Sequence, residues 1–232
     1  MMERALVLSS GGVDSTTCVG LAIERFGKDN VSTVSVSYGQ KHSKELDCAQ
    51  NIADYYGLEH YEIDLSQIMK YSNCSLLSHS TENIDSGTYE EQIEASSDGK
   101  VSTYVPFRNG LMLSSVAALA MSIYPDDITH VYLGAHADDA TANAYADTSK
   151  TFTDAMFLAI DEGTYHQVKV EAPLVEMNKS QVVAEGIRLN VPYSMTWSCY
   201  EGGEKPCGKC ATCVDAIKAF KDNDINYLNL FN

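Results

Sequence analysis

The chain has 232 residues, 44% of them hydrophobic and 21% charged, a composition that fits one sizeable α/β domain with a small appendage and excludes a disordered or fibrous chain. Its 32 acidic residues against 16 basic ones give a formal net charge of −16, which repels phosphate backbones and makes nucleic acid a poor candidate partner. No apolar run approaches the roughly 18–20 residues of a membrane span, and the run near the N-terminus is too short for a signal-peptide core, so we expect a soluble, cytoplasmic protein with no membrane partner.

Short apolar runs and helical patterns alternate along the first part of the chain. The run at residues 5–8 stops at Ser-Ser-Gly-Gly, which is typical of a buried strand that enters a tight turn. The spacing of apolar residues then predicts helices at residues 14–26 and 44–56 and strands at residues 31–38 and 61–65. Such alternation requires crossover connections, and it therefore predicts an α/β fold with a parallel, doubly wound sheet.

A polar segment interrupts this pattern, which then resumes. Residues 66–104 are rich in Ser, Asn, Thr, Asp and Glu with weak periodicity, and we expect a loop-rich insertion that is either a solvated excursion or a functional lid. Beyond it, the spacing predicts strands at residues 130–134 and 168–172 and helices at residues 109–123, 180–189 and 214–220.

The turn after the first strand has the residues of a phosphate-binding loop. A strand, a glycine-rich turn and a helix present backbone N–H groups and a positive helix end to an anion. Ser10 and Ser15 add hydroxyl donors, while Gly11 and Gly12 allow close approach of a phosphate. The turn matches neither a Walker A loop nor the Gly-x-Gly-x-x-Gly dinucleotide fingerprint. Asp14 either organises Mg²⁺ beside the phosphates or stabilises the helix N-terminus, and the two roles are compatible.

Four of the seven cysteines cluster near the C-terminus, and an odd total argues against a disulfide framework. Four thiolates within so short a segment suit one structural Zn²⁺, with an iron–sulfur cluster as the alternative. We expect Cys18, Cys48 and Cys74 to be core or surface thiols. The candidate metal ligands are Cys199, Cys207, Cys210 and Cys213.

Residues 10–16, Ser-Gly-Gly-Val-Asp-Ser-Thr, resemble the PP-loop of the N-type ATP pyrophosphatases. In that family the loop grips pyrophosphate while a substrate oxygen attacks the α-phosphate of ATP, and ammonia or sulfur then displaces AMP from the adenylate. The resemblance implies a Rossmann-like fold of the adenine nucleotide alpha hydrolase type and the use of ATP with Mg²⁺. The ATP-binding residues it implies are Leu8, Ser9, Ser10, Gly11, Gly12, Val13, Asp14, Ser15, Thr16, Thr17 and Cys18.

Three further segments are similar to the 7-cyano-7-deazaguanine synthases of queuosine biosynthesis. Residues 38–46 resemble that family's Tyr-Gly-Gln-x-His-x-x-Glu-Leu, residues 105–109 its Val-Pro-x-Arg-Asn, and residues 196–213 its zinc segment. The resemblance implies that 7-carboxy-7-deazaguanine and ammonia become 7-cyano-7-deazaguanine through an adenylate and an amide. It also implies one structural zinc per chain and a homodimer. We accordingly divide the chain into an ATP-binding domain at residues 1–190 and a zinc-binding segment with a helix at residues 191–232.

The resemblance also implies roles for individual side chains, each with a structural alternative. Arg108 pairs with the substrate carboxylate or a phosphate, or forms a structural ion pair. His42 transfers protons or is simply packed, and Lys179 reaches the phosphates or is a solvated lysine at a helix start. Trp197 and Tyr200 stack on the flat deazapurine or pack in the core. The catalytic candidates are Asp14, Arg108, Lys179 and His42, and the substrate-binding candidates are Gln40, Arg108, Asn109, Asp147 and Trp197.

One segment departs from the family pattern. Where the family has Tyr-Pro-Asp-Cys-Arg, residues 145–150 read Tyr-Ala-Asp-Thr-Ser-Lys, so the arginine is missing unless Lys150 replaces it. The alternative function is therefore a ligase of the same superfamily that stops at the amide or uses another deazapurine acid. A tRNA-modifying relative and an inactive nucleotide-binding module are the alternatives from other classes.

Overall fold

The computed structural model describes residues 1–96, 99–138 and 145–231, and it is built on a five-stranded parallel sheet. The strand order is β3-β2-β1-β4-β5, and each neighbouring pair is parallel. The predicted parallel, doubly wound sheet is therefore confirmed. Its strands are β1 (Glu3–Leu8), β2 (Val31–Ser37), β3 (Glu59–Asp64), β4 (Ile128–Tyr132) and β5 (Val168–Glu171).

Helices cover both faces of the sheet and account for the fully buried side chains on its central strands. Leu6, Val34 and Val131 are completely buried between sheet and helices, where each contributes roughly 1.5–3 kcal/mol of hydrophobic stabilisation. The helices are α1 (Val13–Phe26), α2 (Lys44–Tyr56), α3 (Ser66–Met69), α4 (Tyr89–Ala95), α5 (Arg108–Ile123), α6 (Lys150–Gly163), α7 (Lys179–Arg188) and α8 (Ala211–Asp222).

Helix α6 is absent from the sequence prediction. Its inward residues include Phe152, Met156 and Ile160 at four-residue spacing, but Thr and Asp residues between them weaken the periodic signal. The helix begins at a clear cap, because the Ser149 hydroxyl accepts a hydrogen bond from the Phe152 N–H at 3.2 Å. The chain can thus cross over from β4 to β5 and keep the sheet parallel.

The segment at residues 66–104 contains more structure than its composition predicts. It carries α3 and α4, and α4 begins with a capping box formed by Thr88 and Glu91. Leu76 and Leu77 are buried in the main core, and Leu77 forms an isolated antiparallel bridge with Gln40. The prediction of a solvated excursion is wrong for this part of the segment, which packs against the sheet.

The order of the strands fixes the position of a crevice. Chain order runs outward from β1 through β2 and β3 on one side, and through β4 and β5 on the other. Open α/β sheets bind ligands at such a reversal point, beyond the carboxyl ends of the strands. The loops after β1 and β4 meet there: a Cβ on Gly134 would lie 3.0 Å from the Ser15 backbone nitrogen, so only glycine allows this approach without displacement.

The C-terminal segment forms part of the same body. Val13, Val183, Phe220 and Tyr227 share one buried cluster, which joins α8 and the chain end to α1 and α7. The Trp197 N–H donates to the Gly11 carbonyl at 2.8 Å, so the segment also contacts the phosphate loop directly. Residues 191–231 therefore supply one wall of the crevice.

Candidate active site and metal centre

The glycine-rich turn after β1 is held rigidly in an open conformation. Gly11 has a φ of +71°, and a Cβ there would lie 2.2 Å from the Glu45 carbonyl oxygen and 2.7 Å from the Ala49 nitrogen. The Ser15 hydroxyl accepts a hydrogen bond from the Ser10 N–H at 3.1 Å. Such a turn, placed at the N-terminus of α1, can bind a phosphate through its backbone N–H groups.

The later residues predicted to bind ATP point elsewhere. Thr16 donates from its hydroxyl to the Gly12 carbonyl at 2.6 Å. Thr17 is completely buried and hydrogen-bonded to Tyr193 and to the Val13 carbonyl, while the Cys18 side chain lies in a core cluster. Burial raises the pKa of the Cys18 thiol far above its usual value. The side chains of Thr17 and Cys18 thus stabilise α1 rather than line the crevice. The prediction that they bind ATP remains untested.

A lysine cluster, formed by Asp14, His136 and Lys179, lies beside the loop. The Lys179 ammonium is 2.6 Å from Asp14 Oδ1, and His136 Nε2 is 3.8 Å from Asp14 Oδ2 and 3.4 Å from Lys179 Nζ. Burial would raise the pKa of Asp14, but the charges of Lys179 and His136 outweigh it and lower that pKa. The Lys179 side chain is 13% exposed, so it is not a solvated lysine at a helix start.

An arginine cluster, formed by Tyr38, Gln40, Glu45 and Arg108, occupies another part of the crevice. Arg108 donates from Nη1 to the Tyr38 hydroxyl at 3.3 Å, and its guanidinium lies 5.1 Å from the centre of the Tyr38 ring. Across residues 1–96, 99–138 and 145–231, no carboxylate oxygen lies within 4.0 Å of Arg108. Arg108 is therefore not held in an ion pair by the described residues, and its charge is available to an anion in the crevice.

Glu45 faces Arg108 without touching it. It lines the crevice from the first turn of α2, and burial raises its pKa to about 7, although the Arg108 charge and the neighbouring Gln40 amide both lower it. Gln40 accepts the Tyr38 N–H through Oε1 at 2.9 Å, whereas its buried Nε2 has no hydrogen-bond partner within 3.5 Å. The Gln40 amide is thus a neutral neighbour that favours the ionised form of Glu45.

The crevice has a volume of about 220 Å³ and brings together most of the predicted side chains. The helix start that carries Arg108 is fixed by Asp147, whose carboxylate accepts the Asn109 N–H at 2.8 Å, and Asn109 Nδ2 donates to the Asp147 carbonyl at 3.0 Å. Asp147 is 4% exposed and supports the site without lining it. The predicted residues on its wall are Leu8, Ser9, Ser10, Gly12, Asp14, Ser15, Arg108, Asn109, Lys179 and Trp197.

One predicted residue lies away from the crevice, and the ring of another is almost fully covered. His42 is turned towards the cysteine loop, where its Nε2 is 3.0 Å from the Tyr200 carbonyl oxygen and its ring lies against Gly202. The Trp197 ring is 2% exposed, with the Lys44 ammonium 3.4 Å from its centre. One face of that ring is therefore covered by a cation and closed to a stacked base.

Several residues on the wall are absent from the sequence prediction. His136 follows the predicted fourth strand, so a search beyond the carboxyl ends of all predicted strands would have found it. Glu45 was visible in the similar segment at residues 38–46 but had no assigned role. Ser198, Thr212 and Asp215 reach the crevice from the C-terminal segment; Ser198 and Thr212 lie in the similar segment at residues 196–213 but had no assigned role.

The four clustered cysteines can hold a metal ion. Their Sγ atoms all lie within 4.8 Å of one another, and Cys207 Sγ is 3.9 Å from Cys213 Sγ. A tetrahedral site with Zn–S bonds of about 2.3 Å has sulfur–sulfur edges of about 3.8 Å. Cys207 Sγ also accepts N–H groups from Lys209 at 3.4 Å and Cys210 at 3.3 Å, as a metal-bound thiolate commonly does.

The profile of the family described as Queuosine biosynthesis protein QueC matches residues 4–224. The chain belongs to the QueC family. A 7-cyano-7-deazaguanine synthase of Marinomonas sp. (strain MWYL1) is 36% identical over 222 residues, which cover 96% of this chain and 95% of the relative. The 7-cyano-7-deazaguanine synthase of Archaeoglobus fulgidus is 34% identical over 223 residues, or 96% of this chain and 87% of the relative. The resemblance found in the sequence is thus confirmed for nearly the whole chain.

Among solved structures, the NH3-dependent NAD synthetase from Campylobacter jejuni overlaps this QueC-family chain with a TM-score of 0.43 at 14% identity. The overlap covers 82% of this chain and 64% of the synthetase. No helix of the described residues is both long and apolar enough to cross a membrane.

Proposed function

We propose that this protein is an ATP-dependent 7-cyano-7-deazaguanine synthase. Its substrates would be 7-carboxy-7-deazaguanine, ammonia and ATP, and the path would run through an adenylate and an amide. One observation carries the proposal beyond family membership: a phosphate loop and a half-buried arginine without a carboxylate partner, Arg108, line the same crevice. A site that must bring a carboxylate to a nucleotide phosphate needs both.

The loop and the lysine cluster would act on ATP. Backbone N–H groups of the turn and the N-terminus of α1 bind the pyrophosphate portion, with Ser10 and Ser15 adding hydroxyl donors. Asp14 is the carboxylate suited to Mg²⁺, which would neutralise phosphate charge when bound. Lys179, placed at that carboxylate, would then interact with the phosphates and stabilise charge that develops on the departing pyrophosphate.

The arginine cluster would act on the acid. Arg108 offers its planar fork to the substrate carboxylate, and Asn109 and Asp147 keep the start of α5 in place. His42 and Trp197 would act through the cysteine loop. His42 Nε2 hydrogen bonds to a backbone carbonyl of that loop, and the Trp197 backbone N–H donates to the Gly11 carbonyl of the phosphate loop. Both are thus proposed as positioning residues.

We propose that the four cysteines bind one structural Zn²⁺ per chain. The sulfur positions match the edge of a single tetrahedral site, whereas an iron–sulfur cluster binds its cysteines to different irons and so needs them farther apart. The metal would staple residues 199–213, which carry Tyr200 and Thr212 to the crevice wall. This proposal also includes the division of the chain into an ATP-binding domain and a zinc segment, a homodimer, and a cytoplasmic location. Analytical ultracentrifugation would test whether the protein is a dimer.

The decisive experiment supplies 7-carboxy-7-deazaguanine, ¹⁵N-ammonium, ATP and Mg²⁺ and follows the products by mass spectrometry. The expected products are the ¹⁵N-labelled nitrile with AMP and pyrophosphate. If neither amide nor nitrile forms while a relative named as a 7-cyano-7-deazaguanine synthase is active in parallel, the proposal is wrong.

A second candidate, a ligase that stops at the amide, is favoured by one observation. Lys150, the residue that could replace the family's arginine, does not line the crevice: it lies on the exposed surface of α6 and pairs with Asp154 at 2.8 Å. The amide alone in the same assay, with its dehydration absent after prolonged incubation, would identify this second activity.

A further inference from the structure

Glu45 is a crevice carboxylate that the proposed chemistry does not use. It belongs to the first turn of α2 and lines the same crevice as Arg108. Within the described parts of the chain, no Lys, Arg or His nitrogen lies within 4.0 Å of its carboxylate. A partly buried carboxylate without a charged partner is costly, so its presence in a ligand site calls for donors that arrive with the ligand.

The position of Glu45 is fixed on two sides. Its backbone carbonyl packs against Gly11, where a Cβ would come within 2.2 Å. The preceding Lys44 donates to the Gly203 carbonyl at 2.7 Å and lies over the Trp197 ring. The first turn of α2 is therefore fixed between the phosphate loop and the C-terminal segment, and a side chain on it can select among ligands.

The Gln40 amide is a neighbour of the Glu45 carboxylate. The Tyr38 N–H can only donate, so the oxygen of the Gln40 amide must face it, and Nε2 is directed away with its two N–H donors. That Nε2 is buried, lacks a partner within 3.5 Å, and acts on the Glu45 carboxylate as a hydrogen-bond donor would. These donors favour the ionised form of the Glu45 carboxylate, which lines the crevice.

We propose that Glu45 reads the 2-amino-4-oxopyrimidine edge of the acid substrate, with Gln40 as its positioning residue. The ring N–H and the exocyclic amine of such a heterocycle are parallel donors, and an ionised carboxylate offers two parallel acceptors. An adenine-type edge offers one donor and one acceptor, and a hypoxanthine-type edge offers one donor. Glu45 thus selects guanine-like rings, while Arg108 takes the carboxylate. This inference deepens the proposed function and rests on it.

Binding of bare heterocycles tests the inference without turnover. Calorimetry on the purified, metal-containing protein compares 7-deazaguanine with 7-deazahypoxanthine, which lacks the amine. Because hydrogen bonds to a charged group contribute about 1.5–3 kcal/mol, the wild type should prefer 7-deazaguanine about 10- to 100-fold. In Glu45→Gln the preference should fall below about tenfold, while the affinity for ATP stays the same. Asp47→Asn, an exposed change on the same helix, should keep the wild-type preference.

The outcomes separate this inference from the proposed function. If the wild type converts the acid but Glu45→Gln keeps the full preference for the 2-amino ring, Glu45 does not read that edge. Equal binding of both rings by the wild type also overturns the inference. If the ring preference depends on Glu45 but no acid is ever adenylated, the recognition stands and the proposed function fails.

Discussion

The carboxylate of Glu45, proposed to recognise the substrate ring, should lower the stability of the folded protein when it is ionised. Its pKa rises from 4.5 to about 7 on folding, mainly because burial disfavours the charged form. Between these values the folded state binds more protons than the unfolded state, so stability falls as pH rises through this window and then levels off. At about 1.4 kcal/mol per pH unit, the ionised carboxylate costs the folded protein up to about 3 kcal/mol above pH 7.

Glu45→Gln removes this titration and keeps the size of the side chain. Urea unfolding of wild type and variant at pH 5 and pH 8 should show a relative gain for the variant at the higher pH of up to about 3 kcal/mol, or roughly 1 M in the urea midpoint. Comparing the two proteins at both pH values cancels groups they share, including the cysteines. Asp47→Asn on the exposed side of α2 should show no such gain. A pH-independent difference between wild type and Glu45→Gln would refute the reasoning.

The other expectations concern the two clusters and the cysteines. Lys179→Met should lower the rate of pyrophosphate release by about 100-fold or more, because it removes a positive charge at the phosphates. The control Lys150→Met, on the exposed face of α6, should change this rate little, and equal losses in the two variants would contradict the assignment. Arg108→Lys should raise KM for the acid by about tenfold or more and leave KM for ATP nearly unchanged, and the opposite pattern would place Arg108 on the nucleotide. Cys213→Ser should abolish the one zinc per chain found by elemental analysis and lower stability by several kcal/mol, and iron in the wild type would overturn the zinc assignment.

Features that depend on short stretches of sequence were predictable. The candidate phosphate loop is seven consecutive residues between a strand and a helix, and the four cysteines that could hold a metal ion occur at short spacing with turn residues between them. The parallel sheet follows from the alternation of apolar runs with helical patterns. In each case the chemistry and the geometry are set by near neighbours in the chain.

Features that depend on tertiary packing could not be predicted from the sequence. Trp197 is an aromatic residue beside the loop, yet Lys44, far away in sequence, covers one face of its ring. Thr17 and Cys18 follow the loop directly, but the first turns of α1 rotate their side chains into the core. Asp147 resembles a substrate ligand in sequence, and its carboxylate accepts a hydrogen bond from the start of α5, a contact that the sequence does not indicate; its role in substrate binding stays a prediction. Long-range contacts decide these roles, and a single sequence does not contain them.

One contact connects the two halves of the proposed site. The carbonyl oxygen of Glu45 lies 2.2 Å from the position that a Cβ on Gly11 would take, so the first turn of α2 contacts the phosphate loop through its backbone, while its side chain lines the crevice proposed to bind the acid. Attack on the α-phosphate requires the carboxylate to be placed within a few tenths of an ångström of a productive geometry. The backbone of Glu45 contacts the proposed ATP-binding loop, and its side chain lines the proposed acid site. A displacement of either site would therefore be transmitted to the other through this residue. The absence of a side chain at Gly11 therefore serves both alignment and phosphate access.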